Sequence, residues 1–247
     1  MTRRGLAALA CAASLALTAP ALAETNKDTP GAPCVPGGGL GTGNPCDGNQ
    51  GNPSPEGNAG EKITRDKHPD PFVIARPNND RGAFINQIGD LNAARIAQSA
   101  NSQYARIDQS GDRNAATVGQ VGAGAHYATV SQDGDDNLAD LTQSGTGAQV
   151  ALLAQTGNGN RMDIDQIGGV TSGGVQATQN GDRNAMALTQ NGDGNQARLT
   201  QNGSDSAMTA VQNGNANQLT WVQTGNGLSD LAIKKSGAQA LLVTQTK

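Results

Sequence analysis

The residues best suited to chemistry in this sequence are its amides, and they recur at fixed spacing. Glutamines stand at Gln87, Gln98, Gln109, Gln120, Gln132, Gln143, Gln155, Gln166, Gln179, Gln190, Gln201, Gln212 and Gln223; Lys235 takes the next place and Gln245 the one after. Most steps are 11 residues, with a few of 10, 12 or 13. A primary amide offers two donors and a two-lone-pair acceptor, which suits it to hydrogen-bonded files repeated along a stack. The other reactive types are sparse. Asp108, Asp140, Asp163 and Asp165 could supply a carboxylate pair of the kind that hydrolyses glycosides, but they are scattered and have no basic or aromatic sugar platform. His68 and His126 are the only histidines, and neither lies in a Cys/His metal spacing, so both read as surface residues. A calcium-binding roll would need a nine-residue Gly/Asp repeat, and the period here is eleven. No enzyme activity, metal or cofactor is expected. Cys34 and Cys46 are close enough for a short disulfide loop if the chain is exported; free or intermolecular thiols are the alternative.

The neighbours of the glutamines define the elements that carry them. Two residues earlier stands a larger apolar side chain, such as Ile107, Val118, Leu141 or Ile164, and four earlier a small or flexible one, such as Ala105, Ala116 or Met162. Six earlier is often Asn or Ser: Asn92, Asn114, Asn137, Asn160, Asn184, Asn195, Ser206, Asn217 and Ser229. Gly follows two residues after most of the glutamines. The unit is N-x-A-x-[ILV]-x-Q-x-G, and its internal period of two is that of a strand with Asn, both apolar residues and Gln on one face. Glycine at the corner accepts positive φ at little cost.

Fifteen such strands fit between Arg81 and Gln245, paired into units of about 22 residues by alternating tight and looser arcs. An inward glutamine is costly unless its amide is bonded, and stacking each unit on the last places every amide about 4.8 Å from its equivalent. The expected fold is all-β: a β-solenoid of about seven and a half strand-arc-strand repeats, with two facing parallel sheets over residues 81–247. Composition agrees. Only 35% of residues are hydrophobic and 2% aromatic, while 34 are Gly. That is too little apolar volume for an ordinary mixed core, but a thin two-sheet stack needs only two apolar side chains per strand.

The rest of the chain divides simply. Residues 1–23 read as a secretory signal, with Arg3 and Arg4 before an apolar stretch and Ala21-Leu22-Ala23 as the cleavage site, so the mature chain is expected to begin at Glu24. Residues 24–80 lack periodicity and are dense in Gly and Pro, and are expected to be disordered; their one apolar patch, Pro71–Ile74, could dock on the repeats. No later segment is apolar enough to span a membrane. The formal net charge is −4, and loss of Arg3 and Arg4 makes the remainder more acidic, which disfavours nucleic acid as a partner. The last strand runs to Lys247 with no capping element after it, so an open edge and head-to-tail polymerisation are expected there.

The unit, best seen from Gln109-Ser110-Gly111-Asp112-Arg113-Asn114 through Gln120 and again from Asn184 through Gln223, resembles the curlin repeat of bacterial curli. The resemblance covers residues 81–245. It implies an exported structural protein that self-assembles into extracellular amyloid fibres of the biofilm matrix, with roles in surface adhesion. It also implies a nucleator, a chaperone and an outer-membrane secretion pore as partners, and ladder-forming roles for the Asn/Ser and Gln positions. Arg81, His126, Gly173, Lys235 and Gln239 depart from the pattern, which leaves open whether the chain is a major subunit, a nucleator or a curlin-like adhesin. A non-polymerising secreted solenoid, acting as adhesin or spacer, shares every feature but self-assembly.

Overall fold

The computed structural model describes residues 60–247. The signal sequence (1–23), Cys34, Cys46 and the stretch from Glu24 to Ala59 lie outside the described residues. The described residues form strands and no helix. The first strand, β1 (Lys62–Asp66), precedes the repeats. The fifteen repeat strands are β2 (Gly82–Ile88), β3 (Ala93–Gln98), β4 (Tyr104–Ser110), β5 (Ala115–Val121), β6 (Tyr127–Asp133), β7 (Leu138–Gly145), β8 (Gln149–Thr156), β9 (Arg161–Gly168), β10 (Gly173–Asn180), β11 (Ala185–Asn191), β12 (Gln196–Asn202), β13 (Ala207–Asn213), β14 (Gln218–Thr224), β15 (Ile233–Ser236) and β16 (Ala240–Thr246).

Successive repeat strands alternate between two sheets. Even-numbered strands stack in order from β2 to β16, and odd-numbered ones from β3 to β15. The repeat strands pair in parallel with the strand two places on, glutamine against glutamine except where Gln212 faces Lys235: Gln109 lies opposite Gln132 and Gln143 opposite Gln166, for example. The register is fixed because a slip of one residue would turn every apolar side chain to solvent. The chain is therefore a parallel β-solenoid of about seven turns.

Between the sheets lies one thin core. Ala105, Ile107, Val118, Ala128, Leu141, Ile164, Leu199, Leu219 and Trp221 are buried in it, and Met162, Met186 and Met208 stand in register on consecutive strands of the odd sheet. A methionine adapts its flexible chain to the space its neighbours leave. At the first turn the rule runs out. Ile85 points inward yet is 48% exposed, because no turn of the described residues lies beneath it.

Two features differ from the sequence reading. Ordered structure begins before residue 81: β1 pairs antiparallel with β16, from Lys62 opposite Thr246 to Asp66 opposite Leu242. The even sheet thus has nine strands, eight parallel and one antiparallel, and the edge of β16 expected to be open is covered. The covering element comes from the segment expected to be disordered. Ile63 supplies the inward apolar contact against the core, and the backbone of β16 supplies the ladder. From there the chain returns along the outside of the even sheet. The Phe72 N–H donates to Gln218 Oε1 at 3.2 Å and the Ile74 N–H to Gln196 Oε1 at 2.9 Å. Ile74 packs with Tyr104, Tyr127 and Val150 in a second, outer apolar cluster, and the Arg76 guanidinium lies 5.4 Å over the Tyr127 ring.

Candidate functional site

The glutamines form two files. In the even sheet each Nε2 donates to the Oε1 of the next turn, from Gln87 through Gln109, Gln132, Gln155, Gln179, Gln201 and Gln223 to Gln245, at 2.7–2.9 Å. In the odd sheet the file runs from Gln98 through Gln120, Gln143, Gln166 and Gln190 to Gln212, at 2.7–3.0 Å. All the amides point the same way. Past Gln87 the second N–H of each is also used: Gln120 Nε2 donates to the Tyr104 carbonyl at 2.9 Å and Gln132 Nε2 to the Ala115 carbonyl at 3.1 Å. An amide buried this way satisfies both donors and ties the two sheets together.

The asparagines work differently. Their bonds run mainly to backbone. Asn92 Oδ1 accepts the N–H of Asn114, Asn114 that of Asn137, Asn137 that of Asn160, Asn160 that of Asn184, and Asn184 that of Ser206, at 2.8–3.2 Å. Each Nδ2 donates at 2.7 Å to a glycine carbonyl of the next arc, as Asn114 does to Gly134. The arcs hold a further file. The N–H of Asp90 donates to Asp112 Oδ1, that of Asp112 to Asp135 Oδ1, that of Asp135 to Asn158 Oδ1 and that of Asn158 to Asp182 Oδ1, each at 2.8 Å. An Asp, Asn or Ser three residues after each even-sheet glutamine from Gln87 to Gln223 was the available signal. Asp136 instead forms a bidentate pair with Arg113 (2.7 and 2.8 Å), and Asp205 does so with Arg183. These paired guanidinium groups hold both carboxyls below the usual carboxylate range.

His126 is not a surface residue. It occupies the column that Asn fills elsewhere and is fully buried. Its Nδ1 accepts the backbone N–H of Gln149 at 3.2 Å, so the ring proton sits on Nε2, 3.2 Å from the Val121 carbonyl. Gly173, another departure, makes room one turn on: a Cβ there would stand 2.3 Å from Gln149 Oε1. Burial pushes the His126 pKa below the ordinary 6.5. As pH falls below 6.5, the unfolded chain takes up this proton before the folded one does, so stability is lost on the acid side. His126→Asn should flatten that loss between pH 7 and 5, measured as denaturant midpoint against pH.

Lys235 ends the odd file. It is buried, and its Nζ donates to the carbonyls of Gln218 (2.7 Å) and Gln239 (2.8 Å). An ammonium has no acceptor, so Gln212 Nε2 keeps only the Gln196 carbonyl at 3.3 Å. Burial lowers the Lys235 pKa from 10.5 to about 8. The charged lysine therefore penalises folding below pH 8, and the penalty fades as pH rises towards 10.5. Lys235→Gln should raise stability at neutral pH by restoring the acceptor, and should abolish the gain that the wild type shows between pH 8 and 10.

Of the four outward aspartates, Asp108 lies on the even sheet and is held by Arg106 at 2.6 Å. Asp140 and Asp163 are register neighbours on the odd sheet, with Asp165 two residues along. Burial, and then Asp163, push both Asp140 and Asp165 upward. Among the described residues no group of three or more His, Cys, Asp or Glu could hold a metal ion, and no helix is long and apolar enough to cross a membrane.

These features define the class: a parallel β-solenoid of stacked strand-arc-strand repeats, held by directional amide files. Residues 101–134, 111–145 and 134–168 each match the family model of the curlin associated repeat. Residues 101–168 thus carry the curlin repeat, which supports membership of the curlin family. No curated protein and no solved structure gives a significant match.

Proposed function

We propose that this protein is exported through the periplasm and self-assembles outside the cell into curli-type amyloid fibres that serve the biofilm matrix and surface adhesion. One observation carries the reading: both amide files run through the stack in one direction and reach its first turn with acceptors that no described residue fills. Among the described residues no donor reaches Oε1 of Gln87 or Gln98, and Phe84, Ile85, Ile88 and Leu91 are exposed beside them. An edge that exposes core side chains and unused acceptors in register is a template for another strand of the same repeat. The even glutamine file would then continue between subunits, from Gln245 of one copy to Gln87 of the next. On the family resemblance, the partners are further copies of the chain, a nucleator, a chaperone and an outer-membrane pore.

A second reading, a non-polymerising adhesin or spacer, draws on β1, which covers the other edge. Seeding separates the two. Sonicated fibres added to fresh chain should remove the lag in thioflavin fluorescence. If the chain stays a soluble β-rich monomer with or without seeds, the adhesin reading replaces the first.

A further inference from the structure

We infer that β1 is a removable self-cap, which occupies on β16 the place that β2 of a second copy would take in a fibre; the inference rests on the self-assembly proposed above. The even file has a direction. Each glutamine donates its Nε2 onward, and at the last of them the onward acceptor is Glu61, whose Oε2 lies 3.3 Å from Gln245 Nε2. Its Oε1 accepts the Ser229 N–H at 2.7 Å. A carboxylate presents acceptors only, so Glu61 can stand in for the Oε1 of a further glutamine but cannot pass the file on. The other end of the same file shows the complement: Gln87 Oε1 is an acceptor that no described donor fills, on a strand whose inward Ile85 is half exposed. A second copy is therefore the occupant that fits, with its Gln87 Oε1 taking the bond that Glu61 now accepts and its Ile85 opposite Val243, where Arg65 now stands.

Three observations make β1 a cap and not another turn. It is antiparallel to a sheet that is otherwise parallel, so its free edge does not reproduce the register of a repeat strand. It is short, five residues, and mostly exposed. It carries Lys62, Arg65 and Asp66, and charged side chains on an edge strand discourage further pairing. In this state the protein would be held from adding a copy at β16 until β1 leaves.

A reversible lock tests this. Thr64 and Thr244 are register partners across β1 and β16. In the chain from Glu24 with Cys34→Ser and Cys46→Ser, the pair Thr64→Cys and Thr244→Cys should form a disulfide that pins the cap. Seeded growth is measured for the oxidised protein, for the same protein after reduction, and for Ile63→Pro, which should release the cap. The expected result is growth at least ten-fold slower when oxidised, recovery on reduction, and faster than wild-type growth for Ile63→Pro. Equal growth rates in the oxidised and reduced forms would overturn the cap while leaving self-assembly standing. Absence of growth in all forms, wild type included, would overturn the self-assembly reading and the cap with it. Because one polypeptide is compared with itself, a folding defect cannot mimic the expected result.

Discussion

Replacing Gly157 with alanine should disrupt the stack, whereas the same change at Gly159, two residues away, should be mild. Both glycines lie in one arc and both have positive φ, +106° and +65°. Their surroundings differ. A Cβ on Gly157 would stand 2.2 Å from the carbonyl oxygen of Gly181 in the next turn and 2.9 Å from Asp182 Oδ1. Those two oxygens are already in use, accepting Asn160 Nδ2 at 2.7 Å and the Asn158 N–H at 2.8 Å. Neither can retreat without breaking a file, and backbone cannot rotate away as a side chain can. The nearest atom to a Cβ on Gly159 is Arg183 Cγ, at 3.6 Å. Gly159→Ala should therefore lose only the left-handed backbone term, roughly 1 kcal/mol. Gly157→Ala should lose on the order of 4 kcal/mol, in the range where single substitutions unfold domains. Urea midpoints of the two variants decide it. Similar midpoints would mean that the arcs do not stack as closely as described.

The second large effect is expected at the middle of an amide file. Gln166→Leu keeps the volume but removes one donor pair and one acceptor. Gln143 Nε2 loses its acceptor, Gln190 Oε1 loses its position in the file, and the Val150 carbonyl loses its donor. The file's direction makes the outcome specific: Gln190 still donates to Gln212, while Gln143 retains only its bond to the Tyr127 carbonyl. Buried polar groups left without partners cost about 1–3 kcal/mol each, so the variant should lose roughly 3–5 kcal/mol. Gln87→Leu, at the exposed start of the even file, removes a single bond to Gln109 and should lose about 1 kcal/mol. A flat profile along the file, with Gln87→Leu as damaging as Gln166→Leu, would show that the amides act locally and not as a connected ladder.

How much of this was legible in the sequence depended on repetition. The eleven-residue spacing, with apolar residues two and four places before each glutamine, is enough to fix fifteen strands, two sheets and their register, because each turn restates the same instruction. What occurs once was hidden. β1 is Lys-Ile-Thr-Arg-Asp, five residues with one inward apolar side chain, and its partner β16 lies about 180 residues away in antiparallel sense. No local period marks such a strand among glycines and prolines. His126 was misread for a related reason. Its identity departs from the column, but its place, six residues before Gln132, is the column's own, and counting position instead of residue type would have placed it indoors. The same count shows Gln103 and Gln149 in that column, both buried. Lys235 sits in a glutamine position, and only the geometry reveals that it closes the file with donors instead of continuing it.

The stack within one chain should also be the architecture of the assembled material. The most direct measurement is diffraction from aligned fibres, grown by diluting the chain from Glu24 out of denaturant. A meridional reflection is expected near 4.7–4.8 Å from strands stacked along the fibre, and an equatorial one near 10 Å from the two facing sheets. Aggregates lacking the meridional reflection, or a chain that remains a soluble β-rich monomer under the same dilution, would contradict it.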